Sequence, residues 1–310
     1  MSHVRVADLP WYDLAEVEGA TDAWWRGIAR HLRRLGVDRV PDTLSREGSH
    51  AERWTRPDLL LSQACGYDVL YDAADDIAPI ATPCYAAEGC EGPRYRSAVV
   101  VRADRPFRTL TDLRGGRAAV NEASSHSGTN ALRALVAPLS RGGNFFAAVT
   151  ATGSHTDSLL AVQGGAADVA CIDVVVLALL RRSRPGALRG LRPIACSATA
   201  LAPPYVTSTR TPLPLRRALQ TALNAAMHDP ELAAARHVLL LRDFVFLPPL
   251  AYAELEAFEE PALAAGYFEL PAPARSPLAA GARSSTATRS ACSGRRSGGD
   301  TPWQQAFGIA

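Results

Sequence analysis

The residues best suited to chemistry lie between Arg117 and Pro138, in the run RAAVNEASSHSGTNALRALVAP. Ala118 to Val120 has the pattern of a buried strand. Ser124, Ser125, Ser127, Gly128 and Thr129 follow as a loop of small hydroxyl residues, and Ala131, Leu132, Leu135 and Val136 then recur at helical spacing up to Pro138. In a strand-loop-helix unit the first amides of the helix have no carbonyl partner, and the macrodipole adds partial positive charge where they point. An anion placed there is bound without a formal cation. Serine and threonine are equally the ordinary N-caps of helices, so capping and anion binding both fit this stretch taken alone.

The same design recurs along the chain. A first strand over Val4 to Leu9 runs into Pro10, Trp11, Tyr12 and Asp13, where aromatic rings either wall a pocket or fill a partly buried corner. Asp58 to Leu61 runs into Ser62 and Gln63, Phe145 to Val149 into Thr150, Thr152, Gly153, Ser154 and His155, and the strand DVACID ends at Asp173. Open α/β sheets hold ligands beyond the carboxyl ends of their strands, which predicts that Ser125, Ser127, His155 and Asp173 meet at one edge. Asp173 at an anion site suits an anion that keeps a proton near neutrality for a carboxylate to accept. A fully ionised anion offers none. The alternative is that Asp173 caps a helix starting at Val174. His155 beside an oxyanion favours its charged form, a donor from both nitrogens, although a helix N-terminus pulls the other way. His126, flanked by serines, is expected to face solvent.

Composition removes several other chemistries. All 33 basic residues are Arg, so the Walker phosphate loop, Schiff bases and pyridoxal phosphate are excluded, since each needs a lysine amine. Residues 271 to 310 hold five Arg and one Asp, so the remainder of a chain of net charge +2 carries −2, which argues against nucleic acid as a partner. The six cysteines include no CxxC pair, which disfavours a zinc cluster. Cys84 and Cys90 are left as free thiols or, in an oxidising compartment, a bridge. No apolar run is long enough to span a bilayer, and MSHVRVADLPWYDL lacks the basic and apolar regions of a secretory signal, so the chain as written reads as cytoplasmic.

These residues need elements to position them. Apolar spacing predicts a helix over Thr21 to Leu35, with Trp24 and Trp25 in the core. Ile77 to Pro83 reads as extended, Cys84 to Arg96 as a crossover rich in Gly and Pro, and Ser97 to Arg102 as a strand. From Arg117 onward strands at 118 to 120, 145 to 149, 168 to 172 and 192 to 196 alternate with helices at 128 to 136, 156 to 163 and 174 to 182. That alternation implies a mostly parallel sheet covered on both faces. Ala200 to Ser208 reads as a second crossover. Leu215 to Met227, Glu231 to Leu241 and Ala251 to Phe258 read as helices, and Phe244 to Pro249 as extended. The Pro-, Ser-, Gly- and Arg-rich stretch from 271 to 310 reads as a disordered tail.

Taken in order, LPWYD, LLLSQACGY, PCYAAEGCEGPRYRSAVVVR, DLRGGRAAVNEASSHSGTNALRALVAP, TGSHTDSLLAVQGGAADVACID and APPYVTS make residues 3 to 270 resemble the phosphate, phosphite and phosphonate substrate-binding proteins of ABC importers. The resemblance implies the type II periplasmic-binding fold: two α/β lobes, each a mostly parallel sheet flanked by helices, joined by two crossovers and closing on an anion. Residues 1–85 and 203–270 would form lobe 1 and 86–202 lobe 2. The ligand's oxygens would meet Ser125, Ser127 and the amides of Gly128 and Thr129, His155 would donate, Asp173 would accept, and Tyr12, Ser62 and Gln63 would close the site. It further implies a monomer that works with an ABC permease, without catalysis, cofactor or metal, and a protein that is exported or lipid-anchored. The alternatives are an enzyme on the same fold, similar to the small lyases of the menaquinone route, and a cytosolic ligand sensor. No GxSxG elbow or HExxH is present to favour an enzyme.

Overall fold

The computed structural model describes residues 4–141, 144–267 and 270. The segment 271–310, expected as a disordered tail, lies outside the described residues. The chain begins with β1 (Val6–Ala7), α1 (Glu18–Arg34), α2 (His50–Trp54), β2 (Leu59–Gln63), α3 (Gly66–Leu70) and β3 (Ile77–Tyr85). It crosses by β4 (Arg94–Tyr95) into β5 (Ser97–Arg102), β6 (Arg117–Val120), a π-helical turn at His126–Asn130 continued by α4 (Ala131–Val136), β7 (Ala148–Ala151), α5 (His155–Gln163), β8 (Val169–Asp173), α6 (Val174–Ser183) and β9 (Leu191–Cys196). It returns by β10 (Ala200–Leu201) to β11 (Tyr205–Ser208), α7 (Leu213–His228), α8 (Ala233–Val238) and β12 (Leu241–Val245). A 3-10 run at Pro249–Phe258 and α9 (Glu260–Ala264) follow.

Two five-stranded sheets result, ordered β1-β2-β11-β3-β12 and β7-β6-β8-β5-β9, in the expected two-lobed α/β architecture; both sheets are mixed, and in the first β1 with β2 is the parallel pair while β12 runs against β3. The alternating segment pairs in parallel, β6 with β7 and with β8. β5 runs against β8 and β9, and β11 against β2 and β3. Each enters its sheet from the other lobe, so its direction is set by the crossing and not by a helical return. The crossovers themselves pair antiparallel, Tyr95 with Ala200 and Arg94 with Leu201.

Buried strands and one apolar stripe per helix make the core. Leu59, Leu60 and Leu61 of β2 and Val99, Val100 and Val101 of β5 are buried on both faces, and α1 turns Trp24, Trp25, Ile28 and Leu32 inward. The expected strand over Phe145 to Val149 starts only at Ala148. Phe145 and Phe146 instead pack edge to face, centroids 4.9 Å apart, and the Phe145 carbonyl accepts from the Gly115 amide. The helix expected over Glu231 to Leu241 is a 3-10 turn plus α8, ended by Leu240 at φ 59°. The stretch expected as a helix from Ala251 is wound as a 3-10 run. Residues 203–270 do not all stay with the first sheet: Ala262, Tyr267 and Leu270 join Leu113, Leu132 and Phe145 in the core of the second. The ion pair of Arg133 with Glu259, 2.8 Å, ties this segment to α4.

Candidate functional site

A cleft of about 310 Å³ lies between the lobes. The loop after β1 contributes Trp11, Tyr12 and Asp13, and the start of α2 contributes His50. The loops after β6 and β7 supply Asn121, Glu122, Ser154, His155 and Thr156, and the end of β8 supplies Asp173. The carboxyl ends of strands from both sheets therefore meet in one hollow, as strand polarity requires.

Tyr12 and Asp173 meet across it. The Tyr12 hydroxyl donates to Asp173 Oδ2 at 2.7 Å, while Asp173 Oδ1 accepts from the Val175 amide at 2.7 Å. Asp173 is thus the cap of α6 and a wall of the cleft at once. Burial pushes its carboxyl up to about 7, opposed by the Tyr12 hydroxyl and the Val175 and Val176 amides. Burial and then the neighbouring Asp173 hold the Tyr12 phenol well above its usual range, so it remains a donor.

His155 opens α5, whose cap is Ser154: Ser154 Oγ accepts from the Asp157 amide at 3.0 Å. The Nε2 atom of His155 lies 2.8 Å from Ser127 Oγ. Burial pushes the imidazole down to about 4, with the Cys171 backbone opposing. This corrects the expectation of a charged ring donating from both nitrogens: near neutral pH His155 is uncharged and has one N–H to give.

The serine loop faces inward. Ser125 Oγ accepts from the Gly128 amide at 3.1 Å, the Thr129 amide donates to the Ser125 carbonyl at 3.1 Å, and Thr129 Oγ1 donates to the Glu122 carbonyl at 2.5 Å. The capping alternative is realised here, because the π-helical turn consumes the amides expected to face an anion. None of Ser125, Ser127, Gly128 or Thr129 lines the cleft; they stand behind it, joined to it through His155. Gly128 is required for packing, since a Cβ there would lie 1.9 Å from Asn121 Oδ1. His126 is buried against the edge of Phe258, centroids 4.6 Å apart, and not in solvent as expected. Burial pushes its imidazole down to about 4.

Ser62 and Gln63 lie behind the cleft too. As neighbours on β2 they point to opposite faces. Ser62 Oγ accepts from Trp54 Nε1 at 3.0 Å, and Gln63 Nε2 donates to Tyr85 Oη at 3.1 Å and to the Pro203 carbonyl at 3.0 Å. Gln63 acts at one remove, since Tyr85 packs edge-on against Tyr12 with centroids 5.0 Å apart.

His50 was missed, although a signal exists. Ser49-x-x-Glu52 is a capping box, and both of its hydrogen bonds form, at 3.1 and 3.0 Å. Arg53 then anchors the helix: Nε donates to the buried Asp8 at 2.6 Å, and Nη1 to the Glu47 and Gly48 carbonyls at 2.6 and 3.0 Å. His50 is thereby held against both Trp11 and Trp54, at 5.7 and 4.7 Å. Asp13 is tied to Arg46 at 2.6 Å, and no arginine among the described residues lines the cleft. Among the described residues no group of His, Cys, Asp and Glu could hold a metal ion, and Cys84 and Cys90 are free thiols. No helix among them is long and apolar enough to cross a membrane.

A family model for the periplasmic substrate-binding protein of phosphonate ABC transporters matches residues 49–257. No curated protein matches the chain. Among solved structures, a binding protein component of an ABC phosphonate transporter from Pseudomonas aeruginosa is 15% identical, covering 86% of this chain and 89% of its own, with a TM-score of 0.69. PhnD1 from Prochlorococcus marinus in complex with methylphosphonate is 15% identical, over 83% and 97%, with a TM-score of 0.64. The alkanesulfonate-binding protein SsuA from Xanthomonas axonopodis pv. citri, bound to MOPS, is 15% identical, over 89% and 99%, with a TM-score of 0.58. At these identities the three structures carry the fold alone.

Proposed function

The chain belongs to the periplasmic substrate-binding proteins of phosphonate ABC transporters, and from that premise we propose that its cleft captures a phosphonate, phosphite or phosphate for delivery to an ABC permease. A solute-binding role without chemistry of its own is the family's function. The reading at this site is carried by the start of α5 in the cleft wall. The first intrahelical bond runs from Ser158 to the Ser154 carbonyl, so the His155 and Thr156 amides precede it, beside the His155 ring. A phosphoryl group there receives those amides and the positive end of the helix in place of a cation.

Asp173 supplies selectivity in this reading. Its ionised form accepts a hydrogen bond from a protonated phosphorus oxyanion, whereas fully ionised sulfate meets repulsion from it, so the discrimination belongs to the fraction in which the buried carboxyl has lost its proton. The point matters because SsuA, on the same fold, was captured with a sulfonate. Thermal shift and calorimetry with phosphate, phosphite, methylphosphonate and sulfate test the proposal. A phosphorus anion should raise the melting temperature and sulfate should not. His155→Ala should weaken the binding at least tenfold, about 1.4 kcal/mol. Sulfate binding as tight as phosphate would remove the role given to Asp173, and no shift with any phosphorus anion would remove the proposal.

A further inference from the structure

The two ends of the cleft differ in chemistry. On the second lobe stand His155, Thr156 and the start of α5; on the first stand Trp11 and His50. Trp11 is half-buried, stacked on Trp54 at 6.1 Å with planes 24° apart, while His50 meets it edge-on at 68°. Trp54 is in turn fixed by Ser62, and α2 by the Arg53–Asp8 pair. The aromatic wall is therefore rigid before any ligand arrives. A volume of about 310 Å³ has room for about ten water molecules at about 30 Å³ each. Methylphosphonate, with one phosphorus, one carbon and three oxygens, leaves much of it unfilled.

We infer that the phosphorus group of the ligand carries a planar ring, which lies against Trp11 and His50. The inference rests on the phosphorus-oxyanion reading above and deepens it. A ring gains edge or face contact with both side chains beyond the area it buries, which an alkyl chain does not. An ammonium substituent could also sit over Trp11. The carboxylate beside that wall, Asp13, is held by Arg46, which also pairs with Asp22 at 2.8 Å.

Calorimetry with methylphosphonate, phenylphosphonate and 2-aminoethylphosphonate decides the matter. Phenylphosphonate should bind at least tenfold more tightly than methylphosphonate. That ratio should fall toward one in Trp11→Ala and survive in Trp11→Phe. His50→Ala, at a half-buried position, reads the same ratio should Trp11→Ala fail to fold. Equal affinities for the phenyl and methyl compounds, tightest binding of the aminoethyl compound, or an unchanged ratio in both alanine variants would overturn the ring and leave the phosphorus site standing. Failure of all three compounds to bind would overturn both.

Discussion

Gly128 shows how little slack the serine loop has. An alanine Cβ there would come within 1.9 Å of Asn121 Oδ1, so either the turn or Asn121 must shift. Overpacking of this kind costs about 1–3 kcal/mol. Gly128→Ala should therefore lower the melting temperature by roughly 2–4 °C per kcal/mol. Adding Asn121→Ser should recover most of the loss, a coupling that a thermal double-mutant cycle measures. The residue types around this loop were legible in the sequence, but the directions of their side chains were not. Ser125 and Ser127 were readable as hydroxyls at a helix start, yet a π-helical turn aims them at His155 and the core. Ser62 and Gln63 were readable as polar ends of a strand. Which face of β2 meets Trp54 and which meets Tyr85 depends on segments far away in the chain.

At the level of elements, α6 begins on a carboxyl that titrates near neutrality. Burial raises the Asp173 pKa from its ordinary 3.8 to about 7. A raised carboxyl adds stability that is fully present below the ordinary value and is lost as pH rises through the folded one. Asp173→Asn removes that dependence, so the melting temperature of the variant relative to the parent should climb between about pH 4 and pH 8. A flat difference across that range would contradict the burial. His155 has the opposite sign. Its pKa falls from 6.5 to about 4, so its contribution is present above the ordinary value and lost as pH falls through the folded one. Most of the strands and helices that carry these groups could be read from periodicity, β5 to the residue. The misplaced start of β7 has a plain cause, since Phe145 and Phe146 signal burial, and burial alone does not separate a strand from a packed loop.

In the whole molecule, α6 also joins the lobes at its far end. Arg184 pairs with Glu16 at 3.0 Å, and Arg182 donates to the His237 carbonyl at 3.0 Å. Both partners belong to the first lobe, so these contacts hold the two lobes against each other. Partly exposed pairs are worth about 0–1 kcal/mol and are screened by salt. Arg184→Ala should weaken methylphosphonate binding by no more than about fivefold at low salt. The difference should vanish in about 1 M salt, as calorimetry at two ionic strengths would show. The two-lobed plan was legible because a Gly- and Pro-rich stretch, Cys84 to Arg96, and a Pro-containing one, Ala200 to Ser208, mark the crossovers. The return of Ala262, Tyr267 and Leu270 to the second lobe was not, because they join a core with Leu132 of α4 and Phe145 that no local pattern announces.

The position of β11 has a consequence for the nascent protein. This strand lies between β2 and β3, but follows the entire second lobe in the chain. During translation β2 and β3 emerge early and must wait more than a hundred residues for the strand that separates and covers them. Until it arrives, each offers a bare row of amides and carbonyls to any other chain nearby, the kind of edge that seeds misassembly.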